Sequence, residues 1–308
     1  MAGWRYPGIH AVTTKPREDR RGFAIALMMA AFACFTVLDS SAKMLVTEGM
    51  SPLMAAFARY TVHLVIVAAL ILPQQGTASL QTSAPGLEIV RGVCLGGSTI
   101  LNFIAVGYLP LTLTSTILFM IPIFICALSV PMLGEKVGLR RWSAIAVGFC
   151  GILVVTRPWT GDFHWAMLVS FGAAFFAAIY TVLTRRLAGV DSTNTQQLYS
   201  GLVATILLVP LAILNWELPT TPLALILFGA MGVMGWSGHQ MLTTAHRYAP
   251  AAVLAPFIYV QLLYMTASSW LIFHQPPSIW IGLGAPIVIA SGIYIWWRER
   301  HLRGDLSA

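Results

Sequence analysis

The chain has 308 residues, of which 57% are hydrophobic and only 9% charged, with a mean hydropathy of +0.78 and a formal net charge of +7. A water-soluble domain is nearer a quarter charged, so this composition excludes an ordinary aqueous enzyme or binding module and points to lipid as the solvent. In lipid every backbone polar group must be satisfied within the spanning structure, and apolar runs of about twenty residues suit helices rather than the short alternating strands of a barrel.

Ten such runs follow one another at 22–45, 53–72, 87–107, 111–132, 140–157, 164–187, 195–214, 221–245, 250–273 and 278–297. The pattern predicts an all-α integral membrane protein of ten transmembrane helices. Residues 1–21 are polar and basic and read as a cytoplasmic tail, without a signal peptide, and residues 298–308 as a second tail. With the N-terminus in the cytoplasm, fourteen of the eighteen Lys and Arg residues fall on the inside, among them Arg20, Arg21, Lys136, Arg140, Arg141, Arg185, Arg186, Arg247 and Arg298. This bias predicts that both termini are cytoplasmic and that the host is the cell inner membrane. The basic residues are spread over six inside segments, which argues against a nucleic-acid face.

Tyr108 to Arg157 occurs twice. Tyr108 and Pro110 answer Tyr248 and Pro250 at a shift of 140 residues, and Gly151, Ile152 and Arg157 answer Gly292, Ile293 and Arg298 at 141. The chain therefore divides into a first five-helix repeat, 22–157, and a second, 158–297. Five is odd, so the second repeat enters the membrane upside down, an inverted-repeat architecture that places a substrate site near midplane.

Asp39 is the only carboxylate placed well inside a run, with Glu88 near the inner end of the third. Lys43 follows Asp39 by four residues, on the same helix face. Arg59 lies at a similar depth on the second helix and His63 one turn further in. Such groups must pair or face water, either as a gate or proton-linked cluster or as a static staple between helices 1 and 2. A second polar and aromatic set, Phe35, Asn102, Phe175, Tyr180, Trp236, His239, Gln240, Tyr259, Gln261 and Tyr264, could line a cavity able to stack on a planar solute. The competing reading is helix packing and interhelical hydrogen bonds. Trp142, Trp165, Trp296 and Trp297 fit an interfacial belt. Gly229, Gly232, Gly235 and Gly238 form a small-residue strip for close packing, as do Gly92 and Gly96. Pro122, Pro256 and Pro286 fall within runs, and the first two are candidate hinges. The four cysteines, Cys34, Cys94, Cys126 and Cys150, have no paired spacing and read as small core residues, with no metal site or cofactor implied.

Gly134-Glu135-Lys136 after the fourth run, Arg140-Arg141-Trp142 opening the fifth and Gly148-Phe149-Cys150-Gly151 within it resemble the EamA type of the drug/metabolite transporter superfamily, over about 22–298. The resemblance implies ten helices and a central site between helices 1, 3, 4, 6, 8 and 9. It implies transport of metabolites such as amino acids, nucleotide-like compounds, vitamins or drugs. Asp39 to Lys43 with Phe57-Ala58-Arg59-Tyr60 and His63 is similar to members that carry S-adenosylmethionine or riboflavin. The second copy has His274-Gln275-Pro276 where the family repeats a Gly-Glu pair, so Glu135 has no symmetric counterpart. The expected partners are a small-molecule substrate, the bilayer and a coupled proton, with the chain a monomer or homodimer.

Gly235-Trp236-Ser237-Gly238 also spells the Gly-x-Ser-Gly pattern of intramembrane serine proteases. That chemistry needs a facing histidine, which helix 10 lacks and His239 cannot supply from two residues away. A carrier is therefore favoured, with the protease as the enzyme alternative and a channel or scaffold third. Without a phosphate-binding loop, the driving energy is a solute or ion gradient.

Overall fold

A computed structural model describes residues 20–133, 139–187, 190–249 and 254–304, so Glu135 and Pro250, both singled out in the sequence, lie outside the described residues. The helices are α1 (Arg21–Thr47), α2 (Pro52–Gln75), α3 (Pro85–Tyr108), α4 (Leu111–Leu118), α5 (Ile121–Leu133), α6 (Leu139–Thr156), α7 (Ala166–Leu187), α8 (Thr193–Leu214), α9 (Pro222–Tyr248), α10 (Val260–Leu271) and α11 (Ile279–Gly304). Their starts follow local chemistry. Pro opens α2, α3 and α9, where its missing N–H costs nothing, and Ser51, Ser192 and Thr221 cap α2, α8 and α9 by accepting backbone N–H bonds.

Seven spans among the described residues are long and apolar enough to cross a membrane, with α4 and α5 counted as one, and Trp142–Thr156 and Ile279–Tyr294 are shorter apolar helices. The ninth run of the sequence continues from Leu254 through a 3-10 turn at Ala255–Tyr259 into α10. Leu168, Ile206, Leu214, Ile226, Leu263 and Leu271 are all more than 60% exposed. A chain with so much apolar surface outward needs a lipid solvent. The chain is a multi-pass membrane protein. Trp142, Trp165 and Trp297 are exposed, as a belt requires, but so is Cys150, for which the sequence pattern predicts a core position.

The fourth and ninth segments depart from the single helices expected. The fourth breaks at Phe119–Met120, three residues before Pro122, whose ring nitrogen cannot donate to the Leu118 carbonyl. The ninth changes from 3-10 to α-helix at Tyr259–Val260, three residues after Pro256. At the repeat shift of 140, Phe119 and Tyr259 are equivalent, so two different prolines disturb the two helices at one level. The two rings meet edge to face at 5.2 Å.

The closest pairings join helices of different halves. α1 packs on α9 and α3 on α7, α2 on α9 and α3 on α8, and α6 on α11. Under the repeat these pairs exchange with one another or with themselves, which is two-fold pairing. Glycine makes them close. A Cβ on Gly232 would lie 2.6 Å from Val62 Cγ1, and its counterpart on Gly92 2.7 Å from Val203 Cβ. Gly238 meets the Phe35 ring in the same way.

Candidate functional site

α1, α2, α3, α7, α8 and α9 surround a polar interior. On the side of the membrane where α3 and α8 begin, a chamber of about 90 Å³ is lined by His63, Arg91, Tyr180, Gln197, His239 and Thr243, with Leu95, Gln196, Ser200 and Thr184 completing the wall. The Arg91 guanidinium lies over the Tyr180 ring at 5.3 Å. It also donates to the Gln196 carbonyl and reaches Thr184 Oγ1 at 3.5 Å. Its charge is met by Glu88, whose Oε2 takes Arg91 Nε and Nη2 at 2.9 Å each. Both residues are buried, at 2% and 0% exposure, so the pair stands out of water and depends on these bonds.

His63 comes within hydrogen-bonding reach of the Gln197 backbone, and its ring lies over Gly201, where an added Cβ would be 3.1 Å from His63 Cδ2. The missing side chain at 201 thus lets the imidazole lie against α8. The His239 ring packs edge to face on Phe35 at 5.1 Å, and Gln240 accepts from Gln197 Nε2 at 3.4 Å. His239 lies within electrostatic reach of Arg59, His63 and Arg91, so α2, α3 and α9 present one polar cluster.

Further along α1, Asp39 Oδ1 accepts from Asn102 Nδ2 at 3.1 Å, and Arg59 lies within electrostatic reach of the Asp39 carboxylate. Arg59 Nη1 donates to Thr99 Oγ1 at 2.6 Å, beside a Tyr60–Thr99 hydroxyl contact of 2.6 Å. The structure therefore brings Asp39, Asn102 and Arg59 together. Lys43 is elsewhere. Its ammonium donates to the Val106 and Leu109 carbonyls at 3.0 and 2.6 Å and lies 5.3 Å from the centre of the Phe273 ring. It caps the negative end of α3 in place of pairing with Asp39.

The remaining sequence candidates lie apart from the chamber. Tyr259 packs on Phe119 with its hydroxyl toward Gly292. Tyr264 joins the α1–α9 apolar cluster, and Phe175 contacts Phe124 at 5.6 Å on an exposed face. Trp236, Ser237 and Gln261 are half-buried, and among the described residues no hydrogen bond joins Ser237 to a histidine. Sequence reasoning left Arg91, Gln196 and Gln197 out of the site. The signal was Glu88 and Arg91 three residues apart on an apolar helix, an arrangement that allows an internal ion pair.

Fold and site together define a helical membrane protein with a half-open chamber, lined by polar side chains and aromatic rings, between the halves of a repeated chain. The pattern of the EamA-like transporter family matches residues 22–157 and again 164–297, and the chain belongs to that family. It is 28% identical to a riboflavin transporter of Vibrio cholerae over 90% of this chain and 94% of that one. It is also 28% identical to an S-adenosylmethionine uptake transporter of Rickettsia prowazekii, over 73% and 76% respectively. A pseudopaline exporter of Pseudomonas aeruginosa is 28% identical over 86% and 93%. A solved structure described as "Crystal structure of protein" superposes with a TM-score of 0.63 over 92% of this chain and 99% of that chain, at 17% identity, which speaks for the fold alone.

Proposed function

We propose that the chain is a secondary transporter that moves a small nitrogen-heteroaromatic metabolite across the cell inner membrane by alternating access. The chamber carries this reading. It joins the Tyr180 ring and two imidazoles, which present flat faces, to the amides of Gln196 and Gln197 and the hydroxyls of Ser200 and Thr243, which suit ring-edge and ribityl or ribose groups. Riboflavin and S-adenosylmethionine, the solutes named for two relatives, share this combination, and an amino acid is the alternative solute.

At about 90 Å³ the chamber is well below the roughly 300 Å³ or more of a small-molecule pocket, so a solute of this class requires it to widen. Phe35 and Gln240 touch its wall and, with Asn102 further along, would join the enlarged site, with Trp236, Tyr259, Gln261 and Tyr264 as the more distant wall. The breaks beside Pro122 and Pro256 are the hinges in this scheme, the two repeats being inverted about an axis near Phe119 and Tyr259. Asp39, Arg59 and His63, with Lys43 holding the end of α3, form the gate toward the outer half, and both termini lie in the cytoplasm.

The test is counterflow in proteoliposomes. Internal unlabelled riboflavin or S-adenosylmethionine should accelerate entry of the labelled compound. Absence of trans-stimulation by these two and by amino acids, with folded protein in the vesicles, would overturn the substrate class.

A further inference from the structure

Below the chamber the carboxylates of Glu88 and Asp191 come within reach of each other. Glu88 is completely buried, its Oε2 is taken by Arg91, and its Oε1 has no hydrogen-bond partner among the described residues. Asp191, in the turn between α7 and α8, comes within hydrogen-bonding reach of the Glu88 carboxylate. Two ionised carboxylates are acceptors only, so neither can satisfy the other. A single proton held between them supplies the missing donor and removes the repulsion.

The pair is held from one side and open to a depression on the other. Asp191 is anchored from the α2–α3 loop, by the Thr82 hydroxyl and by Ser83 N at 3.2 Å. A depression of about 670 Å³ lined by Gln75, Ser79, Gln81, Thr82 and Ser192 opens onto Asp191, which gives water a route to the pair, while Glu88 stays sealed behind it. Arg91 on α3 is the charged group on the pair, with Tyr180 of α7 over its guanidinium, and His63 of α2 and His239 of α9 line the chamber that Arg91 also faces.

We propose that Glu88 and Asp191 form a proton-binding pair linked through Arg91 to the solute chamber. Arg91 faces both sites. With the pair ionised, Glu88 neutralises the guanidinium. With a proton between the carboxylates, more of that charge is turned to the chamber and favours a solute with carbonyl or other acceptor groups. Gln196 couples the same places, because its side-chain amide reaches the Asp191 and Leu187 carbonyls at 3.4 Å while its own carbonyl receives Arg91. Linkage then requires that solute binding favour proton uptake as much as proton uptake favours solute.

This coupling rests on the transporter reading, but the site can be tested without a solute. Purified protein in lipid nanodiscs is titrated with acid while the protonated-carboxyl C=O stretch is followed by infrared difference spectroscopy, in choline chloride and in NaCl. A band that grows on acidification and is lost to the same extent in Glu88→Gln and Asp191→Asn is expected, since one shared proton disappears with either partner. Asp191→Asn keeps the Glu88–Arg91 ion pair, so it decides the matter if Glu88→Gln does not fold. A band unchanged in the variants overturns the proposal, and so does one displaced by sodium, which would make this a metal-cation site. With riboflavin as probe, affinity should tighten about fivefold or more on acidification in the wild type and not in Asp191→Asn. Failure of riboflavin counterflow in the wild type would remove the substrate class and leave the infrared result to decide the pair.

Discussion

Gly232 gives the most direct test of the packing that holds the halves together. An alanine there would put its Cβ 2.6 Å from Val62 Cγ1 and 3.0 Å from the Arg59 carbonyl oxygen, both closer than ordinary van der Waals contact. The Val62 side chain is branched at Cβ and stiff, and the carbonyl belongs to the backbone of α2, so neither yields without moving the helix. Overpacking of this kind costs about 1–3 kcal/mol. Gly229 stands one turn earlier in the same strip, and a methyl group added there would have nothing within 4 Å. Alanine there relieves glycine's helix penalty, worth roughly 1 kcal/mol in water. The expected result is therefore opposite in sign. Gly232→Ala lowers the apparent melting temperature of the detergent-solubilised protein by several degrees, and Gly229→Ala leaves it unchanged or raises it. Gly92→Ala, which meets Val203 at 2.7 Å in the repeat-related contact, should behave like Gly232→Ala. Equal effects at 229 and 232, or a neutral Gly232→Ala, would refute the close approach of α2 and α9.

Lys43→Met removes the ammonium from the Val106 and Leu109 carbonyls and should cost about 1–3 kcal/mol, read as a lower melting temperature. A neutral result would show that the capping bonds are not important. Asp39→Asn should slow counterflow, because Arg59 loses the facing charge, while accumulation driven by a pH gradient persists; loss of that accumulation alone would move proton coupling to Asp39. Ser237→Ala should retain transport within a few fold, and loss of proteolysis of a membrane substrate on this change would revive the enzyme alternative. Cysteines introduced at Gln81 and Thr220 should react with impermeant thiol reagents from the inside and the outside of the cell respectively, and the reverse pattern would overturn the orientation.

The apolar runs and the repeat are readable because each rests on a local signal, about twenty uncharged residues in one case and the Tyr-Pro and Gly-Ile pairs in the other. The grouping of Asp39 with Arg59 is also readable, since equal depth from one surface places them side by side on adjacent helices. Lys43 departs from its expected pairing for a reason that sequence spacing hides. Four residues place it on the Asp39 face, but a four-carbon stem lets its ammonium reach sideways to the open carbonyls at the end of α3, a better partner set than a single carboxylate already bonded to Asn102. Glu88, expected near the inner end of its run, is fully buried, because α7 and α8 close over the first turns of α3. Asp191 carries no local signal at all. Its place depends on a turn meeting the α2–α3 loop across more than a hundred residues of chain.

The scaffold is shared between the halves, while the charges are not. Phe119 and Tyr259, the Gly92–Val203 and Gly232–Val62 contacts, and the α6–α11 pair all exchange under the repeat. Asp39, Arg59, Glu88 and Arg91 all belong to the first half; at the shift of 141 that pairs Val62 with Val203, Arg59 answers Ser200, and at the shift of 140 that pairs Gly92 with Gly232, Glu88 and Arg91 answer Phe228 and Met231. The same divergence marks His274, which takes φ 53° at the end of the ninth segment, where the repeat aligns Gly134, the residue type that enters this conformation without a Cβ penalty. In the proposed alternating-access scheme, packing symmetry would let two arrangements of the halves have similar energy. Charge carried by one half would break that equality, so the proposed Glu88–Asp191 pair, where the first half meets the turn of the second, would bias the balance between them.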